Sequence, residues 1–141
     1  MKVLGETSHP AREDSVPYLV EFVSEHAKNT GFPDQRLREI DLSLKEALGN
    51  ILRFPCGDGD YEIRIACVLD NAGRFVIIIS DNGVPFNVLL ETDAFLASDV
   101  ALASDQRPSM KVMKRFIGNI EYKRFENKNI LTFIVQAPST T

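Results

Sequence analysis

No stretch of the chain approaches the ~18–20 apolar residues that cross a bilayer. The opening MKVLGETSHP also lacks the apolar core of a secretory leader. These two absences predict a cytoplasmic protein with no membrane contact. Cysteine is scarce: Cys56 and Cys67 stand alone, with no further Cys or His at metal-ligand spacing, and both read as reduced thiols. Basic residues are not in excess, since 16 Lys and Arg face 20 Asp and Glu for a net charge of −4. Phosphate neutralisation supplies most nucleic-acid affinity, so direct binding to nucleic acid is not expected. Internal repeats and low-complexity tracts are missing as well. Glycine is unevenly spread, with eight residues at 5, 31, 49, 57, 59, 73, 83 and 118 and none from Val84 to Ile117.

What is present suffices for one folded unit. The 141 residues are 44% hydrophobic and 26% charged, which predicts a single domain with a real core over 1–137 and a short tail at 138–141. Residues 11–29 place Val16, Leu19, Val20, Val23 and Ala27 at helical intervals, with Asp14 and Ser15 as cap candidates and Gly31 as the stop. A second helix starts after Pro33-Asp34, aligns Leu37, Ile40, Leu44, Ala47, Leu48 and Ile51, and ends before Pro55. Tyr61–Val68 and Arg74–Ile79, split by Asp70-Asn-Ala-Gly73, read as an antiparallel hairpin. The segment 84–108 is apolar in patches and compatible with short helices. Ser109–Ile117 reads as a helix, and Ile120–Phe125 with Ile130–Val135 as a second hairpin turning at Glu126–Asn129. The expected fold is α+β, a two-layer sandwich with helices on one face of a mixed, mostly antiparallel sheet.

Two constellations can carry chemistry. Glu46 and Asn50 lie four apart on the second helix and so share a face, a carboxylate able to hold a proton or water beside an amide oxygen suited to a hard cation. The plain alternative is a solvated helix face. Asp81-Asn82-Gly83 follows the buried run Val76–Ile79, which sets a carboxylate at the end of a core strand, able to read an exocyclic amine, with glycine leaving room beside it. Its alternative is an ordinary turn. Arg53, on the face of Asn50, can approach phosphates or stay solvated. His9 and His26 read as surface residues, and Lys111, Lys114, Arg115, Lys123 and Arg124 as a solvated basic face or a docking surface for an acidic partner.

In this order the two motifs resemble the N box and first glycine box of the Bergerat-fold (GHKL) histidine-kinase-like ATPases, in Leu44-Lys-Glu46-Ala-Leu-Gly-Asn50-Ile and Asp81-Asn-Gly83-Val-Pro85-Phe86. Pro85-Phe86 and the stretch Val112–Ile117 through Ile120–Arg124 are similar to the anti-sigma-factor serine kinase branch. The resemblance implies an ATP-binding regulatory protein, a serine/threonine kinase that phosphorylates an antagonist protein, with a sigma factor or that antagonist as partner and a possible homodimer. It implies Glu46 as general base, Asn50 as the Mg²⁺ ligand, Asp81 and Gly83 as the adenine site, and Thr132 as a member of the adenine network. The family's second glycine box, roughly Gly-x-Gly-Leu, is replaced by Arg107-Pro108-Ser109-Met110 in a lid-like segment 84–109, where Arg107 and Ser109 are the candidates for phosphate contact. Phe54 stands where the branch commonly has a histidine. A catalytically degenerate switch protein of the same fold, with weak or no nucleotide binding, is therefore the second reading.

Overall fold

The computed structural model describes residues 1–53, 61–83 and 110–138. In chain order the elements are β1 (Lys2–Pro10), a 3-10 turn (Glu13–Ser15), α1 (Val16–Thr30), α2 (Asp34–Arg53), β2 (Glu62–Leu69), β3 (Phe75–Asp81), α3 (Lys111–Phe116), β4 (Asn119–Phe125) and β5 (Lys128–Val135). The strands form one sheet in the order β1-β2-β3-β5-β4, and all four pairings are antiparallel. The expected lid-like segment 84–109, the anticipated phosphate contacts Arg107 and Ser109, and Phe54 and Cys56 lie outside the described residues.

Strand alternation sorts the sheet into two faces. Ile63, Ile65 and Cys67 of β2, Phe75, Ile77 and Ile79 of β3, and Leu131, Phe133 and Val135 of β5 all point toward the helices and are buried. They meet Leu19, Val23 and Ala27 of α1 and Ile40, Leu44, Ala47 and Leu48 of α2, the stripes expected from the helical spacing. Phe32, just past α1, meets Phe75 edge to face with ring centroids 5.7 Å apart. Burial pushes the Cys67 thiol up to about 12, so it stays protonated and inert. Among the described residues no helix is long and apolar enough to cross a membrane.

Three local features depart from the sequence expectations. β1 has no counterpart in them, because an edge strand exposed along much of its length leaves no alternating hydrophobic signal. Gly5 lets it lie close to α1: a Cβ there would stand 2.7 Å from His26 Nε2 and 3.3 Å from Phe22 Cζ. His26 packs edge to face on Phe22 at 4.7 Å and His9 stacks on Tyr18 at 5.8 Å, so both histidines are packing residues. Ser15 stands at the N-terminus of α1 without a side-chain capping bond, and Pro17 in the first turn starts the helix instead.

The β4–β5 turn is tighter than expected. It spans only Glu126 and Asn127, at φ 49° and 62°, so Lys128 and Asn129 belong to β5. A two-residue turn with both φ positive is the geometry that Asn-Gly adopts most readily. The double change Glu126→Asn, Asn127→Gly is accordingly expected to raise stability by about 1 kcal/mol in a denaturant titration. A loss of stability would contradict the turn assignment.

Candidate functional site

The second helix sets Glu46 and Asn50 one turn apart, as the spacing predicts. Asn50 is 4% exposed, which excludes the solvated-face alternative for it. The Glu46 carboxylate faces α3: Oε2 accepts from the Val112 backbone N–H at 3.2 Å and Oε1 from that of Met113 at 3.0 Å. Those amides open α3 and have no partner within it, so an acidic group there satisfies them and complements the helix dipole. At the other end, the Phe116 carbonyl accepts from Arg36 Nη1 at 2.6 Å, and the same atom meets Glu39 at 2.9 Å. Early α2 thus holds the end of α3 and late α2 holds its start, so the two helices run antiparallel. Met113, fully buried, fills the space between.

Asp81 ends β3 on the helix-facing side of the sheet. Its Oδ1 accepts from the Gly83 backbone N–H and from Asn129 Nδ2, each at 3.0 Å. Asn129 is buried at the start of β5, directly opposite Asp81, and its Oδ1 accepts from the Tyr122 hydroxyl at 2.6 Å. Arg124 Nη1 donates to the Gly83 carbonyl at 2.8 Å, which fixes the backbone beyond Asp81. Among the described residues both bonds to the carboxylate land on Oδ1, so Oδ2 is the oxygen placed to accept from a ligand. The arrangement is a chain, Tyr122 to Asn129 to Asp81, that orients one carboxylate oxygen.

Burial raises the Asp81 carboxyl above its ordinary 3.8, and the bonds from Asn129 and Gly83 and the charge of Arg124 only partly offset this. A raised folded-state pKa means that the native state holds the proton more tightly than the unfolded chain does. The resulting stabilisation is present in acid and is lost as pH rises through the raised value. The Asp70 carboxylate, in the β2–β3 turn, behaves oppositely. It accepts from Arg74 N and Ala72 N at 2.9 Å and from Arg74 Nε at 2.6 Å, which lowers its pKa, so its contribution is lost on acidification. Asp81→Asn is therefore expected to flatten the loss of stability as pH rises above 3.8, and Asp70→Asn the loss as pH falls below it. Denaturant midpoints across pH check both, and parallel profiles for either variant and the parent would contradict the corresponding assignment.

Thr132, expected beside the adenine, is not brought to Asp81. It sits opposite Ile78, on the sheet face turned away from the helices, where it borders a cavity with Glu121, Tyr122, Lys123 and Ile130. Strand parity explains this placement: Asn129 shares the face of Leu131 and Phe133, and Thr132 shares that of Ile130. Asn129 was hidden in a polar run, Glu-Asn-Lys-Asn, that reads as turn; the signal available was its place two residues before the alternating buried positions of β5. Arg124, read only as part of a basic surface, has a structural partner in Gly83. Among the described residues no group of three or more His, Cys, Asp and Glu could hold a metal ion by itself.

A family model described as the histidine kinase-like ATPase domain matches residues 9–135. The fold is similar to the RsbU and RsbW domains of Rv1364c from Mycobacterium tuberculosis, with a TM-score of 0.63 and 11% identity over 97% of this chain and 35% of that one. This chain thus spans about a third of that structure's length. It is also similar to the catalytic domain of the histidine kinase ThkA, in a nucleotide-free form, with a TM-score of 0.56 and 10% identity over 96% of this chain and 97% of that one. None of the curated proteins matches its sequence. With nine-tenths of its length inside the matched span and the α+β sandwich of both neighbours, the chain belongs to the histidine kinase-like ATPase domain family.

Proposed function

We propose that this protein is an ATP-binding regulator of the anti-sigma-factor type, a serine/threonine kinase acting on an antagonist protein in a cytoplasmic partner-switching pathway. The observation that carries the reading is Asp81: a half-buried carboxylate oriented through Asn129 and Gly83, with its second oxygen placed to accept from the exocyclic amine of adenine. Gly83 keeps side-chain bulk away from the ring, and Asn129 takes the place in this network expected of Thr132. The likeness to RsbW-containing domains supports a sigma factor or its antagonist as partner, and a homodimer belongs to the same proposal.

Glu46 is the general base and Asn50 the ligand of Mg²⁺. The ion would add electrostatic stabilisation of the phosphates. A hard cation takes oxygen donors, and the side-chain oxygen of Asn50, buried one turn from Glu46, fits that preference. Phosphoryl transfer asks chiefly for positioning and charge neutralisation, so one base and one protein ligand suffice chemically.

The Glu46 contact supports the second reading, a switch protein that keeps the fold without turnover. Its carboxylate already accepts from the amides at the start of α3, one on each oxygen, and so serves as a cap on that helix whether or not phosphate is transferred. Calorimetric titration with Mg²⁺ and ATP tests the proposal. Saturable binding at submillimolar nucleotide is expected, and no heat up to millimolar concentration would favour the switch.

A further inference from the structure

The seam between α1 and α2 on the side away from the sheet carries a feature that nucleotide binding does not use. Two adjoining cavities of about 420 and 310 Å³ share Val16 and Lys45 and together form a groove. On α2 its wall is Asp41, Lys45, Gly49 and Leu52, spaced so that they fall within one arc of the helix. At ~100° per residue this arc is centred roughly 120° around the axis from Glu46 and Asn50. On α1 the wall is apolar, from Val16, Pro17 and Val20, with Glu21 and Ser24 at the rim. From Asp41 to Leu52 the groove runs ~16 Å, about three helical turns.

Two observations show that the groove is unfilled by the described residues. Asp41 Oδ1 is buried and has no hydrogen-bond partner among them, and the charge of Lys45 and a hydrogen bond from Ser24 only partly offset the burial that raises the Asp41 carboxyl above its ordinary range. A buried, unpaired carboxylate oxygen is costly, and native structures seldom keep one without a ligand to satisfy it. Gly49 stands inside α2, four residues before Arg53, where glycine costs ~1 kcal/mol relative to alanine, and a Cβ built on it meets nothing among the described residues within 4 Å. The groove's own packing therefore does not require glycine. A bare backbone there admits a second chain closely. The charges are asymmetric, Glu13, Glu21 and Asp41 against Lys45, so the groove favours a cationic occupant.

We propose that the α1–α2 groove docks a protein segment that sets a lysine or arginine against the Asp41 carboxylate and apolar side chains along Val16, Pro17 and Val20, with its backbone approaching Gly49. A long basic side chain suits both parts, its aliphatic stem lying on the apolar wall and its charged head on the carboxylate. The inference holds whether or not nucleotide is bound.

Phage-displayed random 12-residue peptides panned on the full chain provide the probe. The best peptide is resynthesised and its affinity measured for the parent, Asp41→Asn, Gly49→Leu and the distant control Glu121→Gln, with circular dichroism to confirm folding. Selected sequences are expected to share a Lys or Arg beside apolar residues. Their affinity should fall at least tenfold in both groove variants and stay unchanged in the control. The proposal is overturned by peptides without a basic residue, by equal affinity in all four proteins, or by failure to select any peptide. Self-association of the parent that Gly49→Leu abolishes would overturn it too, since a second copy would then be the occupant.

Discussion

Phe75→Ala is expected to destabilise the domain by about 4 kcal/mol, a large part of the ~5–15 kcal/mol that holds such a fold together. Phe75 is fully buried, and it opens β3, between β2 and β5, opposite Leu69 and Val135. Its ring meets Phe32 edge to face, which ties the loop after α1 to the centre of the sheet. Truncation removes the apolar area and leaves a cavity that paired strands on both sides cannot collapse to fill. Thermal unfolding followed by circular dichroism should show the midpoint falling by roughly 10–15 °C. A fall of only a degree or two would mean that the α1–sheet interface is looser than its burial indicates.

Glu46→Gln is expected to leave ATP affinity within about threefold while phosphoryl transfer drops ~10²–10⁴-fold, the range for loss of a general base. The same change weakens the hold on α3, because one of the two oxygens that accept from Val112 and Met113 becomes an NH2 donor and the charge that favours the helix start is lost. A stability loss of about 1 kcal/mol should accompany it. The pair of readouts separates the roles. Transfer that persists with reduced stability would make Glu46 a structural cap alone; transfer that disappears at unchanged ATP affinity supports the base.

Much of the scaffold was legible because it rests on periodicity. The stripes of α1 and α2 and the alternation of β2, β3 and β5 are consequences of burying one face, and Glu46, Asn50 and Asp81 could be placed on them by counting. What escaped depends on partners distant in sequence. β1 is held by pairing with β2, and its own side chains are too exposed to announce a strand. Asn129 looks like turn chemistry until the two-residue turn at Glu126 and Asn127 places it opposite Asp81. Thr132 looked apt as a hydroxyl on the last strand, but parity alone puts it on the other face. The engagement of Glu46 with α3 could not be read at all, since it joins residues 66 and 67 positions apart.

The account turns on Asp81 reading adenine, and the most direct measurement is the affinity of Asp81→Asn for ATP in the presence of Mg²⁺, set beside that of the parent. The substitution keeps the size and the position opposite Asn129 but replaces the charged acceptor with an amide. A hydrogen bond to a charged group is worth ~1.5–3 kcal/mol, so binding should weaken at least tenfold while the fold persists. ATP bound by Asp81→Asn as tightly as by the parent would contradict the assignment.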